Sequence, residues 1–113
     1  MNWIALTAGS TLEQIQKDSA QQPILIFKHS TRCSISATAL SRLERAWQQG
    51  DVANTQTYLL DLIAYREISN QIAQVFGIGH ESPQILLIRN GQCVFDASHW
   101  DIDYQDIKQK INA

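Results

Sequence analysis

Apolar positions along the chain fall into short blocks whose spacing switches repeatedly between that of a strand and that of a helix. Trp3, Ile4 and Leu6 outline a short edge strand, and Ser10-Thr11-Leu12-Glu13 has capping-box spacing for a helix running to about Ala20, with Leu12 and Ile15 inward. After Pro23, the unbroken run Ile24 to Phe27 predicts a central strand covered on both faces. From Cys33 onward Ala37, Leu40, Leu43, Ala46 and Trp47 recur at spacings of three and four, so a helix starts at the cysteine and stops by Gly50. Thr57 to Leu60 predicts another strand, and Ile68, Ile72, Ala73 and Phe76 a helix that closes on Gly77. Ile85 to Ile88 and Cys93 to Phe95 flank Asn90-Gly91, the strongest short hairpin signal, and Tyr104, Ile107 and Ile111 place a last helix over Asp101 to Ile111. The order βαβαββα, preceded by a short N-terminal edge strand, predicts an α/β fold with a mixed central sheet flanked by helices.

At 113 residues the chain is expected to form one domain, residues 1–113, without repeats or linkers. A net charge of −2 provides no general attraction to nucleic acid or acidic lipid, and no apolar run approaches the ~18 residues that cross a bilayer. A soluble, cytoplasmic monomer that binds neither nucleic acid nor membrane is therefore expected. Cys33 and Cys93 stand in unlike settings and His29, His80 and His99 lack ligand spacing, so neither a disulfide framework nor an intrinsic metal site is expected.

Cys33 carries the clearest chemistry. It stands where a buried strand ends and a helix begins, the place where open α/β sheets put ligands, and the free N–H groups of that helix start favour thiolate over thiol. Lys28, His29 and Arg32 precede it with no acidic residue between Ile26 and Ser36, making the local field positive. Ser36 lies one helical turn on, where a dithiol enzyme would carry its second cysteine and where a hydroxyl can only donate a hydrogen bond to the thiolate. The motif is thus monothiol. Lys28 and Arg32 are candidates for binding carboxylates of a small thiol or steering an acidic client.

The stretch Phe27-Lys28-His29-Ser30-Thr31-Arg32-Cys33-Ser34-Ile35-Ser36, with Glu81-Ser82-Pro83-Gln84 and Ser98-His99-Trp100, resembles the monothiol bacilliredoxins, general-stress proteins of the thioredoxin superfamily, over nearly the whole chain. The resemblance implies a thioredoxin-like fold, with Cys33 as the reactive cysteine and Ser36 as the family's serine. Ser34 stands where that family usually has proline, which restores a backbone N–H donor and loosens the turn. The implied activity is removal of a low-molecular-weight thiol, bacillithiol, from S-thiolated client proteins, with the small thiol as co-substrate and no tightly bound cofactor. Pro83 occupies the position where thioredoxin-like folds place a cis-proline, whose preceding residue, Ser82, would face Cys33 and pair with substrate backbone like a short added strand.

Cys93 shares a strand face with Phe95 and Ala97 by alternation and is expected to be a small, inert core residue; a resolving role would require disulfide reach to Cys33. Trp3, Trp47 and Trp100 are expected as core or rim aromatics. Two rival readings remain. An iron–sulfur carrier like the monothiol glutaredoxins would show colour after anaerobic reconstitution, although Ser34-Ile35 departs from their Cys-Gly-Phe-Ser. A binding module without turnover would show an unreactive Cys33.

Overall fold

A computed structural model describes residues 1–52 and 54–113. Five strands form a single mixed sheet: β1 (Trp3–Ala5), β2 (Ile24–His29), β3 (Gln56–Asp61), β4 (Gln84–Arg89) and β5 (Gln92–Ser98), in the order β1-β3-β2-β4-β5. β3 runs parallel to both β1 and β2, whereas β4 is antiparallel to β2 and β5. The run Ile24 to Phe27 thus becomes the middle strand, as its continuous hydrophobicity requires, because side chains on both faces of β2 must be covered. Ile24 and Ile26 enter a core beneath α1 (Thr11–Asp18) and α3 (Arg66–Phe76), while Leu25 and Phe27 enter one beneath α2 (Ser34–Ala46) and α4 (Tyr104–Ile111). Among the described residues no helix is long and apolar enough to cross a membrane.

Four local expectations are revised. The helix expected to reach about Ala20 stops at Asp18, and Ser10 makes no side-chain capping bond. Its backbone is already helical, and the N–H groups of Thr11 and Leu12 bond the carbonyls of Ala8 and Gly9 in a preceding turn, which replaces the capping box. In α2 the buried face is Ser36, Ala39 and Leu43, and Ala37 and Ala46 are exposed. The inward stripe is rotated by one residue because a serine, whose hydroxyl finds partners, occupies a core position. The last helix starts at Tyr104 after a 3-10 turn at His99–Asp101. Finally, a bulge interrupts the β4–β5 ladder, where Ile88 faces Cys93 and Leu87 faces Phe95. The extra residue, Val94, breaks the alternation, so Cys93 packs with the α1/α3 core and Phe95 and Ala97 with the α2/α4 core.

Candidate functional site

The C-terminal end of β2 delivers the chain to Cys33 through Ser30, Thr31 and Arg32. Cys33 is the N-cap of α2, with extended backbone (φ −114°, ψ 119°), and its carbonyl accepts the first helical bond from the Ala37 N–H at 3.1 Å. The Cys33 N–H turns back to the Ser30 carbonyl at 3.2 Å, closing a tight loop. The thiol is half-buried, Arg32 and Ser34 on either side are exposed, and Ile35 presents a partly exposed apolar side chain. No acidic residue occupies the first turn of α2, so the positive end of its dipole is not offset there.

Ser36 is wholly buried. Its Oγ accepts the Ser30 N–H at 3.0 Å and lies 2.6 Å from His29 Nδ1. The hydroxyl and the imidazole share that short contact, with the donor set by the ring's tautomer. Burial lowers the His29 pKa, while the carboxylates of Asp61 and Glu44 act in the opposite sense. The hydroxyl expected to face the thiolate is therefore engaged by His29 and Ser30, and it ties the loop before Cys33 to the first turn of the helix after it. Replacing Ser36 by alanine leaves the Ser30 N–H without its acceptor, a cost of about 1–3 kcal/mol that a shift in the urea midpoint would register.

Lys28 does not lie beside the thiol. Strand alternation turns it to the α1/α3 side with Ile24 and Ile26, where it is fully buried, and its Nζ donates to the Ser69 carbonyl of α3 at 3.2 Å. Of the two cations expected at the surface of the site, Arg32 alone is there.

Across from β2, the antiparallel pairing of Lys28 with Gln84 brings the start of β4, and with it the Ser82–Pro83 bond, beside the loop that leads to Cys33. That bond is cis. Pro83 is buried and its carbonyl accepts the His99 N–H at 2.9 Å, so the segment after β5 is fastened to the same edge. The Ser82 Oγ is closed off from solvent without a hydrogen-bond partner, an unusual condition for a hydroxyl. Trp100, 59% exposed, follows His99 at the rim. The engagement of Ser36 by His29 and the burial of Lys28 escaped sequence reasoning; alternation along β2 signals the second, whereas nothing local signals the first.

Cys93 sits at the other end of the sheet. It pairs with Ile88, which pairs with Ile24 at the start of β2, so the length of β2, roughly 17 Å, separates that level from the end that leads to Cys33. Its side chain also lies on the opposite face of the sheet from α2. Burial raises the Cys93 pKa to about 11, and its thiol donates to the Phe95 carbonyl at 3.3 Å. Disulfide formation between the two cysteines is thus excluded by geometry, since bridged Cα atoms stand within about 7 Å.

A cysteine at a helix start, a cis-proline at the start of the neighbouring strand and a central strand feeding the junction define the thioredoxin fold. Solved structures agree. A candidate oxidoreductase with a thioredoxin fold superposes with a TM-score of 0.82 at 27% identity, covering 97% of this chain and 93% of its own. Fasciola hepatica thioredoxin follows at 0.71 and 13% identity, with 96% and 95% coverage, and Malassezia sympodialis thioredoxin at 0.70 and 18%, with 98% and 89%. The monothiol bacilliredoxin BrxC family matches residues 4–107, and the chain belongs to that family. Its role is accordingly one in thiol redox chemistry.

Proposed function

We propose that the protein removes bacillithiol from S-thiolated client proteins by monothiol exchange at Cys33. The observation that carries this reading is the isolation of one cysteine at the α2 N-cap while the other lies beyond disulfide reach. The Cys33 thiolate attacks the small-thiol sulfur of the mixed disulfide, and the client sulfur leaves as thiolate, taking up a proton from water. Cys33 then carries the small thiol as a mixed disulfide. A second small-thiol molecule, as thiolate, attacks the outer sulfur, so that a symmetrical small-molecule disulfide forms and Cys33 is released. Electrons balance at each step, because every exchange breaks one S–S bond and makes another. In this reading the exposed Arg32 meets a carboxylate of the small thiol, Ser34 supplies an N–H at the first helical turn, and the backbone of Ser82 with Pro83 receives the client as an added strand. Ser36 serves the reaction through the loop it holds.

The test is release of client thiol from two forms of one client, one carrying bacillithiol and the other glutathione. Faster release from the first, with Arg32→Glu reducing it a few-fold as expected for an exposed charge, supports the reading. Equal rates on both forms would remove bacillithiol as the preferred substrate, and no release from either would remove exchange altogether.

A further inference from the structure

Lys28 is the only charged side chain in the buried class among the described residues, and no carboxylate accompanies it. An unpaired buried ammonium costs stability, so its position calls for a reason other than packing. Its Nζ reaches the Ser69 carbonyl at 3.2 Å and His80 Nδ1 at 3.5 Å, and Ser69 Oγ lies 3.2 Å from the same ring nitrogen. The His80 side chain itself is exposed; partial desolvation and the cations Lys28 and Arg66 lower its pKa, against Glu81, and Lys28 and Ser69 both face its Nδ1. Beside Lys28 on β4, its pairing partner Gln84 is buried and grips the same loop by its backbone. Gln84 donates to the Gly79 carbonyl at 3.1 Å and accepts the Glu81 N–H at 3.4 Å. The loop from Gly79 to Glu81 is thus held at its one imidazole and on both sides of it, immediately before Ser82 and Pro83.

We propose that Lys28 is a positioning residue: with Ser69 it holds the His80 ring while Gln84 holds the backbone on either side, and so it sets the Ser82–Pro83 edge on which an extended S-thiolated polypeptide would lie beside Cys33. The role in client binding rests on the exchange reading above; the holding of the loop does not. Lysine suits the task because one terminus donates in several directions at once, to the α3 carbonyl and to the loop imidazole. Methionine, of similar length, fills the same volume and donates nothing.

Amide hydrogen exchange of the full chain at neutral pH tests this. In Lys28→Met the Glu81 amide, which Gln84 holds, should exchange about tenfold faster than in the wild type, with the β2 and α2 amides no faster. His80→Ala should do the same, whereas His80→Gln, which keeps an acceptor for the ammonium, should stay within about twofold of the wild type. With a bacillithiol-modified client, Lys28→Met should raise KM about tenfold and leave kcat within about twofold, because the edge is displaced and the nucleophile is not. Unchanged exchange at the Glu81 amide in Lys28→Met overturns the proposal, as does a fall in kcat at constant KM. A wild type that transfers nothing, yet whose loop loosens on substitution, sinks the exchange reading and leaves the loop-holding role standing.

Discussion

Cys33→Ser is expected to abolish small-thiol transfer, with a loss of at least about 1,000-fold in the rate of client release, while Cys93→Ser retains nearly all of it. The asymmetry follows from geometry and protonation together. A serine hydroxyl at position 33 keeps the helix cap but cannot ionise near neutral pH, and oxygen does not exchange with a disulfide. Cys93 cannot take over, because a thiol with a pKa of about 11 is thiolate in roughly one molecule in ten thousand at pH 7, and the Cys93 thiol is partly screened by the α1/α3 core. Stopped-flow or quenched release assays on the three proteins check this. Loss of activity in Cys93→Ser equal to that in Cys33→Ser would contradict the monothiol scheme.

The second large effect has the opposite sign. Lys28→Met should raise the stability of the fold at pH 7 by about 2 kcal/mol even as it loosens the Gly79 to Pro83 loop. Burial lowers the Lys28 pKa from 10.5 to about 8, a shift that corresponds to roughly 3 kcal/mol of penalty on the charged form, and loss of the bond to Ser69 takes back about 1 kcal/mol. Below pH 8 the folded and unfolded chains both carry the charge, and the folded state bears the whole penalty. Between pH 8 and 10.5 the unfolded chain keeps the proton that the folded one has lost, so wild-type stability rises relative to the variant and the gap closes. Tyr58 and Cys93, both raised by burial, work the other way in this range, but they are common to both proteins and cancel in the difference. Urea midpoints at pH 7 and pH 10 measure it: a difference of roughly 1 M that shrinks at the higher pH is expected, and a Lys28→Met variant less stable than the wild type at pH 7 would contradict it.

Much of the frame was legible because it rests on short-range rules. The unbroken run of Ile24 to Phe27 announced the middle strand, and Asn90 and Gly91, both with positive φ, make the hairpin that their sequence calls for. The position of Cys33 at a strand-to-helix junction could be read in the same way. What escaped depends on contacts between distant residues. Ser36 is inward because His29 and Ser30 satisfy it, which turns the stripe of α2 away from Ala37 and Ala46. Cys93 and Phe95 separate to opposite faces because of one bulge, and no residue type forces a bulge at Val94. Lys28 was the instructive case. Alternation with Ile24 and Ile26 pointed it inward, and its charge argued for the surface; the alternation prevailed because Ser69 and His80 meet the ammonium. A local rule overridden in this way marks a residue held against its own solvation, which is where function is to be sought.

The central claim is that Cys33 alone accepts the small thiol. Its most direct test is peptide mass mapping of the wild-type protein after brief exposure to a client carrying a bacillithiol mixed disulfide. Trypsin releases Cys33 to Arg42 as one peptide, well apart from Cys93. A bacillithiol adduct confined to that peptide, in step with release of the client thiol, is expected. An adduct on Cys93, or release of client thiol with Cys33 unmodified at every time point, would contradict it.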